Sequence, residues 1–401
     1  MIKKVTLLSI AILLGSSLLY SQPLPCVNPK KVGIDQQRLA YADNAINQAI
    51  QNKDIPGAVL AVVRHKKIAY LKAYGNKQVY PDTIAMTTNT VFDLASVSKS
   101  VSTAISTMIL LERGQLRLRD NVALYIPGFQ SWTDSISGKK KSIRIVDLLT
   151  HTSGLPPYAP VGELKKEYAV PNPEGLMTYI SNVKRNNEPA TVFDYSCLNF
   201  ITLQHVIENI TGMSLQSFAR QNIFIPLGMK HTDYNPTGET LSWTAPTEKQ
   251  ADGSALKGKV HDPLANVMNG GVSGNAGVFS NAEDLSILAA MLLNDGEINK
   301  VRVLSPLTVR AMKSVPKGYE QFGRSLGWDV YSAYASDGDL FDISAYGHTG
   351  YTGTSISIDP ETDTAVILLT NRVHPEDKGG VVRLREVVAN VVAASITDLK
   401  K

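Results

Sequence analysis

Strand-like segments stand at the two ends of this chain with a long helical stretch between them, and that arrangement narrows the possible folds more than any other feature. Near the start, "IPGAVLAVVRHKKIAYLKAYG" reads as a β-hairpin, with apolar β-branched runs on either side of Arg64 to Lys67. Before it lies "VGIDQQRLAYADNAINQAIQN", an amphipathic helix capped at Asp35. From residue 96 to about 320, helical patterns and Pro/Gly-rich loops dominate. Strand patterns then return in "LGWDVYSA", "TSISIDP" and "TAVILLTNR", and "VVRLREVVANVVAAS" reads as a closing helix. Strands at both ends predict one sheet assembled from the two termini, packed beside an inserted helical lobe.

The first residues, "MIKKVTLLSIAILLGSSLLYSQ", have the parts of an export signal: Lys3 and Lys4, the apolar run Val5 to Leu19, and small residues at Ser16, Ser17 and Ser21. The run is shorter than the ~20 residues of a spanning helix. Cleavage after Ser21 is therefore expected, with residues 22–401 forming one soluble periplasmic or secreted domain. Cys26 follows "QPLP", which does not suit lipidation, and both Cys26 and Cys197 are expected to be free thiols. The net charge of +4 is small for 401 residues, and the one dense basic run, "SGKKKS", reads as a solvated loop. Nucleic acid is not an expected partner.

The strongest chemical signal is S-x-x-K, but the chain holds it five times: Ser96/Lys99, Ser137/Lys140, Ser181/Lys184, Ser254/Lys257 and Ser314/Lys317. Ser137 sits in the lysine-rich loop. Ser254 lies between glycines, Ser314 is followed by Pro316, and Ser181 runs into the polar "KRNNEPA". Only Ser96 opens a sustained helical pattern, with Val101, Ala104, Ile105, Met108 and Ile109 at i, i+3, i+4 spacing. Lys99 then lies one turn away on the same face, near a helix start whose free N–H groups favour negative charge. A serine hydroxyl needs a neighbouring base, and lysine serves as one only when burial or a nearby cation lowers its pKa. On its own the stretch fits a nucleophile with its base and a capping serine with a surface lysine equally, since spacing motifs recur by coincidence.

Three further stretches add context: "LLTHTSGL" turning through His151, "FDYSCLNFITLQHVIENITG" with Tyr195 just before a long amphipathic helix, and "YGHTGYTGTSISIDP" with His348, Thr349 and Gly350 leading into a strand. Together with "PGAVLAVV", "FDLASVSKS" and "GNAGVFSNAEDL", in this order, they make the chain resemble the serine β-lactamase-like family, which includes class C β-lactamases, D-alanyl-D-alanine carboxypeptidases and related esterases. The resemblance covers essentially the whole mature chain. It implies an α/β, β-lactamase/transpeptidase-like fold, with an antiparallel sheet built from both termini and flanked by helices. The α/β lobe would take about 30–95 and 320–401, and the helical lobe about 96–319.

The same resemblance implies an exported serine hydrolase acting through an acyl-enzyme on a cell-wall-type D-Ala peptide, a β-lactam or a small ester. Ser96 would be the acylated nucleophile, Lys99 its proton partner, and Tyr195 the second proton carrier, supported by Lys⁺. His348, Thr349 and Gly350 would flank the substrate, and the backbone N–H groups of Ser96 and Tyr351 would form the oxyanion hole. Gly350 would let substrate approach the backbone closely.

Two positions depart from the family pattern. Tyr195-Ser196-Cys197 replaces the usual Tyr-x-Asn, and a thiol lacks the donors and acceptor of an amide. Asn199 is two residues on and does not share that helix face. His348 replaces the usual lysine and carries a less certain charge near neutral pH. Both departures favour an esterase or peptidase over penicillin hydrolysis. The alternative is a non-catalytic penicillin-binding-protein-like ligand-binding or sensor protein. "LLTHTSGL" reads as a turn at the site's rim, and no G-x-S-x-G elbow supports a Ser-His-Asp triad. No metal-ligand spacing is present, no cofactor is expected, and "GSALKGKV" is a coil that only imitates a phosphate loop. A monomer acting on a small-molecule or peptidoglycan-derived substrate is the expected working unit.

Overall fold

In the computed structural model, which describes residues 21–399, the two ends of the chain meet in one sheet. Its strands are β1 (Gly57–Arg64), β2 (Lys67–Gln78), β3 (Ile84–Ala85), β4 (Tyr346–Thr349), β5 (Ser355–Asp359) and β6 (Thr364–Thr370). The spatial order is β4-β5-β6-β1-β2-β3, with every neighbouring pair antiparallel. The seam between the termini is β1 against β6, from Ala58 opposite Thr370 to Arg64 opposite Thr364. The β1–β2 hairpin turns at His65 and Lys66, both in the left-handed region at φ 51° and 60°, the backbone that a tight two-residue hairpin requires.

Five helices position the site: α1 (Gln36–Gln51), α2 (the π-helical turn Lys99–Ala104 continued by Ile105–Glu112), α3 (Cys197–Thr211), α4 (Ala282–Leu293) and α5 (Val382–Ala394). Asp35 caps α1 by accepting the Gln37 and Arg38 amides, and the stripe Leu39, Ala42, Ile46 and Ala49 is buried. Helices α1 and α5 cover one face of the sheet over Ala58, Leu60 and Val62. Helix α4 covers the other, over Val59, Ala61 and Val63. Every residue of β1 is therefore buried, which explains why its sequence reads as a continuous apolar run rather than an alternation.

"LGWDVYSA" does not form a strand. Gly327 turns left-handed there at φ 87°, and a Cβ on it would lie 2.4 Å from Ala104 Cβ on α2. The segment makes only isolated bridges, Arg324 with Asp329 and Asp329 with Gly347. Close packing on α2 has overridden the strand pattern, and the bend brings Arg324 towards β4.

Helix α2 runs through the core, and three of its hydroxyls bond to segments packed against it. Ser100 Oγ donates to Gly327 O at 2.6 Å, Thr103 Oγ1 to Gly274 O at 2.8 Å, and Tyr234 Oη to Ser102 Oγ at 2.9 Å. Cys26 and Cys197 are both free thiols. Among the described residues no helix is long and apolar enough to cross a membrane. The expected signal segment lies outside the described residues except for Ser21, whose amide donates to Pro226 O.

Leu60 sits fully buried at the centre of the seam strand. Leu60→Ala should lower the unfolding free energy by about 2–5 kcal/mol in urea titrations. A loss under about 1 kcal/mol would show that the β1–α1–α5 layer is not part of the stabilising core.

Candidate active site

The approach to Ser96 is a fixed, strained turn. Phe92–Asp93 pairs with Ser280 and Phe279, and the buried Asp93 carboxylate accepts the amides of Ala95 at 2.9 Å and His261 at 2.6 Å. Ala95 is held left-handed at φ 46°, a conformation that costs a β-carbon residue free energy and clusters at functional sites. Helical turns then begin with Val97 N to Leu94 O, Ser98 N to Ala95 O and Lys99 N to Ser96 O. Ser96 is left half-buried at the wall of a cavity of about 610 Å³, which Tyr195, His348, Thr349, Gly350 and Tyr351 also line.

Lys99 is fully buried beside that cavity. Its Nζ donates to Ser96 Oγ at 2.9 Å and to Asn275 O at 2.8 Å, and lies 3.7 Å from Cys197 Sγ. Three acceptors match the three hydrogens of an ammonium. The Tyr195 and Phe200 rings stand 5.2 and 5.9 Å from it. Burial pulls the Lys99 pKa down, but the Cys197 thiol, the Tyr195 phenol and the Asp262 carboxylate outweigh it and hold the pKa above the usual lysine value. The condition under which a lysine serves as the base is thus not met, and the resting site holds Lys99 as a cation. Burial also pushes the Cys197 thiol up, so it faces that cation as a neutral group.

The turn after β4 is tied directly to the Ser96 turn. Thr352 Oγ1 donates to Asp93 O at 2.7 Å and Thr354 Oγ1 to Leu94 O at 2.9 Å. Gly350 N donates to Thr354 O at 2.8 Å, and Arg385 Nη2, reaching in from α5, donates to both Gly350 O and Thr354 O at 2.7 and 2.9 Å. A Cβ at Gly350 would lie 2.2 Å from Thr354 Oγ1 and 2.4 Å from Leu94 O. The glycine is thus required by contact between the two turns. Among the described residues, neither the Ser96 nor the Tyr351 amide donates to a protein acceptor, leaving both available to an oxyanion.

Tyr195 precedes α3, whose N-cap Ser196 accepts the Leu198 amide. Its ring stacks on His151, centroids 4.2 Å apart and planes at 23°. "LLTHTSGL" therefore lies beneath the tyrosine and not at the rim: His151, Thr152 and Ser153 are all buried. His151 Nδ1 accepts the Ser196 amide at 3.1 Å and lies 3.2 Å from Asn199 Nδ2, so the ring is committed away from Ser96. Asn199 faces His151 and Ser153, away from Lys99, and Cys197 alone occupies the place beside the amine.

His348 is buried and neutral. Arg324 Nη2, which can only donate, lies 3.1 Å from its Nε2, so the ring proton sits on Nδ1 and is donated to Thr349 O at 2.9 Å. Burial, then the charges of Arg324, Lys99 and Arg385, hold its pKa well below the usual histidine value. Positive charge at this end of the cavity comes instead from arginines that sequence reasoning did not single out. Arg324 is buried and ion-paired with Asp329 at 2.7 Å. Arg385 is also buried, with carbonyls as its protein acceptors, and its Nε is without a partner among the described residues. A legible trace of Arg385 exists, because it falls on the apolar stripe of the closing helix with Val388 and Val392. Arg324 leaves no such trace. Among the described residues, no cluster of His, Cys, Asp and Glu could hold a metal ion.

Comparison with known proteins agrees with this geometry. The Beta-lactamase family model matches residues 42–390. A Salmonella typhimurium protein named "Putative D-alanyl-D-alanine carboxypeptidase" is 34% identical over 377 residues, covering 88% of this chain and 86% of its own. An Escherichia coli protein of the same name is 33% identical over 373 residues, covering 86% and 85%. Among solved structures, EstCE1, a hydrolase with promiscuous acyltransferase activity, aligns with a TM-score of 0.72 at 23% identity, covering 89% of this chain and 99% of its own. A class C beta lactamase from Rhodobacter sphaeroides aligns with a TM-score of 0.65 at 22% identity, covering 87% and 98%. These two share the fold.

The neutral state of His348 has a measurable cost. A histidine whose folded pKa is depressed binds fewer protons folded than unfolded, so its contribution to stability falls as pH drops below about 6.5. His348→Gln removes that titration. Relative to the parent, its unfolding free energy should gain up to about 1.4 kcal/mol per unit of pH below 6.5, measured by urea titration at pH 7 and 5.5. A difference that stays constant over this range would mean that His348 is not held neutral.

Proposed function

The chain belongs to the Beta-lactamase family of serine hydrolases, and from that premise we propose that it is an exported serine carboxypeptidase that removes a C-terminal D-amino acid through an acyl-enzyme on Ser96. The observation that carries this reading is the arginine-lined end of the Ser96 cavity. Arg324 and Arg385 both reach the cavity wall beside His348 and Thr349. Arg385 has no carboxylate partner among the described residues and retains unused donors. A buried guanidinium with free donors favours a substrate carboxylate, because charge-assisted bonds recover what its burial costs. Such an end suits a peptide with a free C-terminus and gives no advantage to a neutral ester. Relatives named as D-alanyl-D-alanine carboxypeptidases point the same way, and the sequence of residues 1–21 supports export.

The steps follow from the groups present. Ser96 Oγ attacks the carbonyl of the penultimate residue while its proton passes to the Tyr195 oxygen, which enters the step as a phenolate stabilised by the nearby Lys99 ammonium. The Lys99 ammonium, hydrogen-bonded to Ser96 Oγ, lowers the cost of negative charge on that oxygen and holds it in place. The Ser96 and Tyr351 amides receive the carbonyl oxygen as it becomes an oxyanion. Collapse breaks the C–N bond, and the leaving D-amino acid nitrogen takes the proton from Tyr195. Water then attacks the Ser96 ester, giving its proton back through Tyr195 and releasing the shortened peptide. Cys197 supplies no amide pair to hold the backbone of a β-lactam or peptide, so binding rests on the carboxylate end.

The test compares an acyl-D-Ala-D-Ala peptide with its C-terminal amide. A preference for the free acid of about 30-fold or more in kcat/KM is expected, the worth of a hydrogen bond to a charged group. Equal rates would overturn the carboxylate reading. Hydrolysis of p-nitrophenyl esters without turnover of either peptide would instead make the protein an esterase.

A further inference from the structure

We infer that His151 is the positioning residue for Tyr195, fixing the backbone on both sides of it and the plane of its ring. Three contacts converge. The Asp194 amide donates to His151 O at 2.9 Å, and the Ser196 amide donates to His151 Nδ1 at 3.1 Å, so the peptide groups bracketing Tyr195 are both held by one residue. Between them, the Tyr195 ring lies against the imidazole at 4.2 Å and 23°. Phe200 packs on the imidazole as well, centroids 5.1 Å apart. Asn199 Nδ2 lies 3.2 Å from the same Nδ1, and Asn199 Oδ1 in turn accepts from Ser153 Oγ, so the histidine is itself clamped from α3 and from its own loop.

The geometry requires one protonation state. Nδ1 accepts the Ser196 amide with its one lone pair and cannot carry a proton, so the ring is the Nε2–H tautomer. A proton on Nδ1 would turn an acceptor into a donor facing the Ser196 amide. The surroundings oppose it: the ring is fully buried, with Arg324, Lys99 and His348 the charged or titratable groups acting on it, and Nε2 has no partner among the described residues. His151 is also held at φ 56°, left-handed for a non-glycine residue, an outlier of the kind that persists where surrounding contacts over-determine it. "LLTHTSGL" thus acquires a role in the chemistry without touching substrate.

This inference rests on Tyr195 as proton carrier, and a double-variant cycle separates the two. His151→Phe keeps a ring face and removes the acceptor, and His151→Asn keeps an acceptor, tolerates the left-handed backbone and removes the ring. Each should lower kcat on an acyl-D-Ala-D-Ala peptide by about 10- to 100-fold with KM changed less than about 3-fold, the pattern of an interaction that matters in the transition state. In a Tyr195→Phe background, the same substitutions should cost less than about 2-fold, because a group acting through Tyr195 has nothing left to position. Losses that multiply in the double variant would overturn the positioning role. Full activity of Tyr195→Phe alone would instead overturn the reading of Tyr195. In the parent protein, ¹⁵N spectra should show a neutral Nε2–H ring for His151 that does not titrate between pH 5 and 9. Titration in that range, or the opposite tautomer, overturns the inference without any variant.

Discussion

A buried cation without a carboxylate partner is the constraint around which the rest of this site is arranged. Lys99 has no solvent exposure, and among the described residues no acidic side chain lies within ion-pair distance of it. Desolvating an ammonium costs several kcal/mol even after relaxation, so the protein must surround it with oriented dipoles. It does so with one hydroxyl, one carbonyl, a neutral thiol and two aromatic faces. These groups come from three parts of the chain: Ser96 from the start of α2, Tyr195, Cys197 and Phe200 from the start of α3, and Asn275 from the glycine-rich loop. The cation thus holds three segments together and is poised to stabilise negative charge on the Ser96 oxygen. The energy spent in burying it is returned when that charge develops.

Positioning of the donor amides depends in turn on the sheet. Ser96 follows directly from the turn after Phe92–Asp93, while Tyr351 lies in the β4–β5 connection far along the sequence. Thr352 and Thr354 tie these turns at hydrogen-bond distance, and Arg385 braces the second of them. Such ties have a fixed length only because β6 pairs with β1 along its full register, bringing the C-terminal strands to the N-terminal hairpin. The placement of the Ser96 and Tyr351 amides is therefore a consequence of closing one sheet from both ends. Histidine in place of a lysine at position 348 is tolerable in that frame, because Arg324 behind it and Arg385 beside it carry the positive charge.

Much of this was legible in the sequence, for identifiable reasons. The β1–β2 hairpin, β5, β6 and the first and last helices follow from local patterns that the packing did not override. The serine–lysine pair was separable from four imitations because only Ser96 opens a buried helix. "LGWDVYSA" misled because its apolar pattern is satisfied by packing Gly327 on Ala104, a long-range contact with no local signature. The direction of the lysine pKa shift was not legible, because its sign depends on Cys197, Tyr195 and Asp262, which are distant in sequence. Arg324 and the burial of His151 were invisible for the same reason: both are defined by tertiary partners. The close approach of Leu94 O and Thr354 Oγ1 to Gly350 was likewise invisible, because both partners are set by tertiary packing.

The central claim is that acyl transfer passes through Ser96 beside a charged Lys99. Rapid quenching of the enzyme with an acyl-D-Ala-D-Ala peptide, followed by intact-mass spectrometry and peptide mapping, tests it most directly. The account predicts a transient mass increase equal to the acyl group without its terminal D-alanine, mapped to Ser96 and absent from Ser96→Ala. Turnover by Ser96→Ala at the parent rate, or an adduct mapped to another residue such as Cys197, would contradict it.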